Sequence, residues 1–542
     1  MPRVPGVNEL SDRLLHRAHV VRTLVSAGIV GPVRPDRLVG IGMGLRRWGT
    51  TSAGALAVAA ARAPDQTAII DELGSLTYAE EHRRTNALAS AFAEAGIRAG
   101  DRVAIMCRNH RGFIDATVAC AKLGAHVLYL NTAFAAPQLT AVVERENAAA
   151  IVYDEEFAAV CEGVREDRLR FIAWHDGEGT DGAPILEDLI ASGDPSGVAP
   201  PEESGRVVIL TSGTTGTPKG AHRSSPGNLD PAAALLSKIP LRRRDTTLIA
   251  APLFHTWGLA HFTLGVPLTS ALVLRRRFDP EGTLRAIERN RATGLIVVPV
   301  MLQRLLELPD EILDRYDTSS LRVIAASGSA LPGPLATRVM DRFGDVLYNL
   351  YGSTEVAWAT IATPEDLRAA PGTAGRAPRG TVVRLLDEHD REVAPGGTGR
   401  IFVGNELPFE GYTGGGSKAI VEGLMSAGDI GHFDAAGRLF VDGRDDDMIV
   451  SGGENVFPGE VEDLLAGHPA VREVAVIGVD DERFGERLKA IVALNPGAEA
   501  TEAEMKDYVR ENLAAFKVPR EVAFVDTLPR NATGKILKRE LR

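Results

Sequence analysis

The stretch Leu210–Gly220, reading L-T-S-G-T-T-G-T-P-K-G, decides how this chain is understood. The β-branched run Val207-Val208-Ile209-Leu210 leads into it and reads as a buried strand. Gly213, Gly216 and Gly220 let a backbone turn with its N–H groups inward and no Cβ in the path of an anion. Thr211, Ser212, Thr214, Thr215 and Thr217 add hydroxyl donors, and Lys219 adds a mobile positive charge. This is the chemistry of a loop that holds phosphate, although a solvated Gly/Thr turn has the same composition. It is not a Walker A loop. Counted from Gly213, the sixth position is Pro218, and Gly220 follows the lysine where a hydroxyl residue is required.

At 542 residues the chain needs two or more cores. Its net charge of −12 leaves no basic surplus to neutralise a nucleic-acid backbone. Cys107, Cys120 and Cys161 have no C-x-x-C spacing, which excludes a zinc ribbon or disulfide framework and fits a reducing, cytoplasmic compartment. Residues 246–274 lack Asp, Glu, Lys and Arg, but Pro252, Pro267, His255 and His261 break them into short strands and turns, so a buried core is expected rather than a membrane span. Arg13, His16, Arg17, His19 and Arg22 interrupt the apolar positions near the N-terminus and exclude a signal peptide there.

Residues 1–50 read as a helical extension. Ser11 is placed as N-cap, and Leu14, Leu15, Ala18, Val21, Leu24 and Val25 recur at helical spacing opposite the arginines, before Pro32 and Pro35 interrupt the pattern. Such a helix either packs on its own protein or lies on a membrane surface. Beyond it, helices (79–95, 115–123) alternate with strands (102–107, 126–130, 247–250, 271–274, 294–298, 321–325), which predicts layered α/β sheets. Residues 381–405 read as short alternating strands joined by turns, a small β unit. After Gly443-Arg444-Asp445-Asp446-Asp447 comes a small α+β domain. The expected division is 1–50, a large domain 51–445 and a mobile C-terminal domain 446–542.

Further stretches carry chemistry. His255, in Pro252-Leu253-Phe254-His255, sits in an uncharged setting, with Trp257 close by. Ser327-Gly328-Ser329-Ala330-Leu331 follows a strand and precedes a helix, and its small residues let a flat ring lie against backbone. Tyr348-Asn349-Leu350-Tyr351-Gly352-Ser353-Thr354-Glu355 combines a stacking face, a hydroxyl for phosphate and a carboxylate fit for Mg²⁺. Gly428-Asp429 offers a carboxylate suited to a ribose diol, and Arg444 a donor fork. Pro529-Arg530-Asn531-Ala532-Thr533-Gly534-Lys535 sets a lysine on a glycine turn.

Together these stretches resemble the adenylate-forming superfamily of acyl-CoA synthetases, peptide-synthetase adenylation domains and firefly luciferases. The motifs run in family order from about Thr51 to the C-terminus, most like a bacterial fatty-acid–CoA ligase. The resemblance implies ATP binding by Thr211, Ser212, Gly213, Thr214, Thr215, Gly216 and Lys219 at the phosphates. It implies contact with the nucleotide at Gly328, Ser329, Ala330, Asn349, Leu350, Tyr351 and Gly352, Tyr351 stacking on adenine. Thr354 would touch phosphate, Glu355 hold Mg²⁺, and Asp429 and Arg444 take the ribose. His255 would line the acyl pocket, with Trp257 at its mouth. Asp446 would be the hinge, Gly452 and Gly453 the passage for coenzyme A, and Lys535 the catalytic lysine of adenylation. Ala427 replaces the family's usual threonine, and Glu410–Gly416 replaces a more usual Asn/Pro-containing turn.

The implied partners are a small-molecule carboxylate, ATP and CoA. No nucleic acid and no transmembrane span are expected; peripheral membrane contact and a homodimer stay open. An aryl-CoA ligase, an adenylation-only ligase serving a carrier protein and a non-catalytic nucleotide-binding relic are the competing readings.

Overall fold

The computed structural model describes residues 7–541 apart from 178–181, 212–218, 224–227, 408, 414, 416, 446–448, 452–453, 457, 482–484, 514–516 and 532–533. Two compact units emerge. Residues 1–297, 308–325 and 406–417 form the first, and residues 298–307, 326–405 and 418–542 the second.

The first unit holds two sheets. In one, parallel strands Leu169–Trp174, Ala150–Asp154, Arg102–Met106, His126–Tyr129 and Val207–Thr211 lie side by side in that order, and antiparallel Lys219–Arg223 closes the edge. Ala150–Asp154 is buried along its whole length, as expected for a parallel strand covered on both faces. Leu139, Val142 and Val143 of helix Ala136–Arg145 join Ala104, Met106 and Leu128 in its core. The other sheet runs within this unit as Val323–Ala326, Gly294–Val297, Thr246–Ile249, Ala271–Leu274, Thr67–Asp71 and Gly74–Thr77, the last pair a hairpin.

The expected helix over 79–95 is Tyr78–Glu94, and its start is a capping box. Thr77 Oγ1 accepts from the Glu80 amide at 3.2 Å, and Glu80 Oε2 accepts from the Thr77 amide at 2.8 Å. Two sequence expectations are corrected. The uncharged stretch 246–274 contains helix Thr256–Gly265 as well as strands. Trp257, Leu259, His261, Phe262 and Leu264 are buried around it, and a helix enclosed on all sides shows no amphipathic period to read. Likewise the first helix, α1, runs Val7–Ala27, so Ser11 lies inside it rather than capping it. Nothing between Val7 and Leu10 breaks a helix. Pro35 opens the next helix, α2 (Pro35–Trp48), at the position where its missing N–H costs nothing. A third, α3 (Ser52–Arg62), follows.

The second unit holds an antiparallel sheet and a C-terminal α+β layer. Val382–Leu386, Gly399–Gly404, Leu424–Phe433 and Ile420–Val421 pair in that order, with Leu439–Arg444 also paired to Leu424–Phe433. C-terminal strands Val471–Asp481 and Gly485–Leu494 form a long hairpin ladder, and Glu521–Phe524 adds a parallel strand beside Gly485–Leu494. Helices Pro458–Ala466 and Glu502–Asn512 supply Val461, Leu465, Met505 and Val509 to one core with Val476, Ala490 and Val492. Among the described residues no helix is long and apolar enough to cross a membrane.

The capping box gives a stability prediction. Thr77→Ala should lower stability by about 1 kcal/mol, read as an earlier urea midpoint; an unchanged midpoint would show that the box contributes nothing.

Candidate functional site

In the first unit, the phosphate-type loop joins two antiparallel strands. Thr211 pairs with Lys219 and Leu210 with Gly220, so the lysine opens a strand rather than a helix. That is the backbone reason it departs from Walker A, in which the loop runs into a helix. Ser212, Gly213, Thr214, Thr215 and Gly216 lie outside the described residues, as do Asp446, Gly452 and Gly453. The hairpin has a partner that the sequence did not announce. The Thr413 amide donates to the Gly220 carbonyl at 2.8 Å, and Ala221 bridges Tyr412, so Tyr412-Thr413 of the atypical segment lie along the strand that carries Lys219. Thr413 is fixed in turn by its hydroxyl, which donates to the buried Glu146 at 2.6 Å.

His255 stands at the N-terminus of helix Thr256–Gly265. Burial pushes its pKa down to about 4, and a helix N-terminus disfavours a positive charge in the same sense, so the ring is neutral near pH 7. Trp257 is not at a pocket mouth. It is 5% exposed, its Nε1 donates to the Val297 carbonyl at 3.1 Å, and its ring meets His261 edge-on. The side chain anchors the helix instead.

The second unit assembles four of the separated motifs. Strand Leu347–Tyr351 alternates its side chains, which puts Asn349 and Tyr351 on one face and Leu350 on the other. The Tyr351 hydroxyl donates to Asp429 Oδ2 at 2.6 Å. Asp429 in turn sits directly opposite Arg444 across the strand pair Leu424–Phe433 and Leu439–Arg444. Burial raises the Asp429 pKa, while the Tyr351 hydrogen bond, Arg444, Lys535 and Lys418 all pull it back. The Tyr351 phenol is pushed well up by burial and by the neighbouring carboxylate, so it stays a donor. Four stretches, from Tyr351 to Lys535, thus act on one carboxyl group.

The loop after Tyr351 is tightly folded. The Ser353 hydroxyl accepts from the Glu355 and Val356 amides at 3.3 Å, and the Ala359 amide returns to the Tyr351 carbonyl at 2.8 Å. A Cβ on Gly352 would lie 2.2 Å from the Ala357 carbonyl oxygen, so only glycine fits there. Asn405 Nδ2 donates to the Val356 and Trp358 carbonyls at 2.7 and 2.9 Å and holds the far end. Thr354 and Glu355 are left half-buried on this turn. Trp358 is buried and donates to Thr381 Oγ1 at 2.8 Å. Gly328 and Ala330 are exposed and Ser329 half-buried in the connection between strand Val323–Ala326 and helix Gly333–Phe343.

Lys535 is exposed at the end of a small closed loop. Its amide donates to Asn531 Oδ1 at 2.9 Å, its carbonyl accepts from the Asn531 amide at 2.9 Å, and Gly534 packs against Val300. Lys418 is a site residue that motif reading missed. Gly428 has φ +79°, and the Lys418 ammonium lies 3.0 Å from where a Cβ there would sit. No motif includes this lysine; only the strand pairing brings it over Gly428-Asp429. The Asn349 carboxamide oxygen is buried with no hydrogen-bond partner among the described residues, a vacancy for a donor.

Removing Lys418 should raise the Asp429 pKa further. In Lys418→Met, the acid limb of nucleotide binding should therefore move to higher pH; an unmoved limb would show that the lysine is electrostatically silent. Tyr351→Phe should weaken nucleotide binding roughly fivefold or more, because it removes a donor from a half-buried carboxylate, as read by calorimetric titration.

Against known proteins, the AMP-binding enzyme family matches residues 56–413, and the AMP-binding enzyme C-terminal domain matches residues 460–535. The chain is 35% identical over 485 residues to a feruloyl-CoA synthase of Amycolatopsis sp, covering 88% of this chain and 96% of that protein. It is 33% identical over 489 residues to an indoleacetate–CoA ligase of Aromatoleum aromaticum, covering 88% and 95%. The solved amide bond synthetase McbA from Marinactinospora thermotolerans superposes with a TM-score of 0.79 at 28% identity, covering 93% of this chain and 99% of that one. The two family models, with relatives matched over most of both chains, settle the family: this protein is a member of the AMP-binding enzymes of the adenylate-forming superfamily.

Proposed function

We propose that the protein is an AMP-forming acid–CoA ligase whose acid is ring-bearing and apolar. The Tyr351–Asp429 hydrogen bond, with Arg444 opposite, carries the nucleotide half of this reading. An ionised Asp429 accepts both ribose hydroxyls, Arg444 adds a donor, and the unpartnered Asn349 oxygen accepts the exocyclic amino group of adenine. Tyr351 lies flat against the base while its hydroxyl keeps Asp429 oriented. Lys219 and the donors of residues 211–216 grip the β- and γ-phosphates. The Glu355 carboxylate, with phosphate oxygens, makes the ligand set that Mg²⁺ prefers, and the ion would neutralise phosphate charge when bound.

In the first step a substrate carboxylate oxygen bonds to the α-phosphorus. The bond from that phosphorus to the bridging oxygen breaks, and pyrophosphate leaves. Lys535 orients the carboxylate and offsets charge gathering on the α-phosphate oxygens, with Thr354 donating to phosphate. In the second step the CoA sulfur attacks the acyl carbon, its proton passes to solvent, and AMP leaves. Rotation of the 446–542 domain about Asp446, with Gly452 and Gly453 lining the thiol's approach, separates the two steps. The neutral His255 presents a hydrogen-bonding ring to the acyl group without a competing charge.

The names of the two curated relatives, a feruloyl-CoA synthase and an indoleacetate–CoA ligase, support an aromatic acid. The second reading is an aliphatic fatty acid, with which the uncharged stretch 246–274 is equally compatible. The amide bond synthetase likeness keeps a non-CoA acceptor in view.

A thioester panel resolves these. Purified protein with ATP, Mg²⁺ and CoA should convert cinnamate- or arylacetate-type acids to CoA thioesters faster than C4 to C16 fatty acids, by mass spectrometry. A preference for fatty acids would overturn the aromatic assignment, and acyl-adenylate without thioester would overturn CoA as acceptor. Lys535→Ala should lower carboxylate-dependent ATP–pyrophosphate exchange about a hundredfold or more while leaving ATP binding within a few fold; unchanged exchange would refute the role given to Lys535.

A further inference from the structure

The N-terminal helices are tied down on one side and apolar on the other. On the inner side Leu24, Ala27 and Trp48 are buried, the Arg62 guanidinium donates to the Gly28 and Ile29 carbonyls at 2.9 and 2.7 Å, and the Arg243 amide donates to the Ala27 carbonyl at 2.8 Å. His16 reaches Asp230 at 3.3 Å. The segment is therefore docked on the first unit, as one of the two sequence readings held.

The outer side is unlike the rest of the surface. Nine of the fourteen exposed large apolar side chains among the described residues fall between Leu14 and Leu45, which makes this a concentrated feature and not the scatter normal for a soluble surface. On α1, Leu14 (66% exposed), Ala18, Val21 (56%) and Val25 (51%) follow one another at helical spacing and line a shallow groove flanked by Arg17 and Arg22. On α2, Leu38, Val39 and Met43 are more than half exposed, and the helix ends on Arg46 and Arg47. Residues 1–50 contain eight arginines and three acidic residues, in a chain whose net charge is −12. Residues 1–50 thus combine a net basic charge with the main exposed apolar stretch among the described residues, and both precede the first residue matched by the family, 56.

We propose that the outer faces of α1 and α2 seat the protein on an anionic phospholipid surface. Apolar side chains between basic flanks meet the two layers of such a surface in order, acyl chains below and phosphate heads above. A second copy of the chain is a poorer occupant, because a two-fold contact would set the same arginines against themselves. Neither helix crosses the bilayer; each lies along it.

Vesicle flotation of the full chain tests this. The protein should float with phosphatidylglycerol–phosphatidylcholine vesicles and not with phosphatidylcholine alone, and binding should fall steeply with salt as the charges are screened. The triple variant Leu14→Ser, Val21→Ser, Val25→Ser should lower partitioning at least about tenfold. Arg17→Gln, Arg22→Gln, Arg46→Gln and Arg47→Gln together should lower it by roughly fivefold per arginine, with circular dichroism and ATP–pyrophosphate exchange unchanged in both. No flotation of the wild-type chain, or flotation untouched by both variants, would overturn the proposal. So would a dimer in sedimentation equilibrium that the serine variant splits while vesicles stay unbound, which would make the face a self-association surface. If the serine variant misfolds, the salt series and an arginine variant without Arg47, which lies over the Trp48 ring and donates to the Val198 carbonyl, carry the test alone, since Arg17, Arg22 and Arg46 are exposed.

Discussion

A carboxylate held in a largely buried place is the constraint that organises the second unit. Asp429 loses hydration on folding, which raises its pKa, and an unpaired charge there would be costly. Three features offset that cost: the Tyr351 hydroxyl at 2.6 Å, Arg444 directly across the ladder, and the more distant fields of Lys418 and Lys535. Each requirement reaches into different chain segments. Tyr351 has to be placed by its strand, and the turn after it is closed by Ser353, Gly352 and Asn405. The same interactions that make the carboxylate tolerable leave it ready to accept hydroxyl groups.

The first unit contains buried polar groups of another kind, in which Arg84 and Lys122 find their partners within the fold. Arg84 bridges Asp115 and Glu187, and Lys122 donates to Thr85 Oγ1 at 2.6 Å and Asn86 Oδ1 at 2.7 Å while burial lowers its pKa to about 7. These tie helix Tyr78–Glu94 to helix Arg111–Leu123. Cys107, His110 and Asp154 lie close enough to suggest a metal site. Both His110 nitrogens are already used, however: Nε2 faces Asp154 at 2.7 Å, and Nδ1 accepts from the Gly112 amide at 3.1 Å. The cluster holds the start of a helix, and its histidine has no ring nitrogen left for a metal. Proximity of metal-type residues is decided by what their lone pairs already do.

Local signals account for the elements that were read correctly. The Thr77–Glu80 pair starts the helix read over 79–95, because the orphan amides of a first turn need acceptors. Val207–Leu210 and Ala271–Leu274 are strands because β-branched and apolar runs suit a covered sheet. Thr256–Gly265 escaped because a fully enclosed helix has no polar face and hence no period. The start of α1 escaped because a good cap residue can also sit inside a helix.

The residue types of the site are legible in the chain: the loop Leu210–Gly220, the Tyr348–Glu355 octet, Gly428-Asp429 and Gly534-Lys535 each state their chemistry locally, since glycine freedom, hydroxyls and single charges do not depend on distant neighbours. Which of them act on one another was decided by tertiary structure. Strand register set Arg444 opposite Asp429, a ladder brought 412–413 beside the strand of Lys219, and strand pairing carried Lys418 over Gly428. A hydrogen bond between Tyr351 and Asp429 spans seventy-eight positions and leaves no trace in either local sequence. Register and crossover depend on matching the side-chain pattern of one strand to that of another distant in the chain, so no local stretch states them.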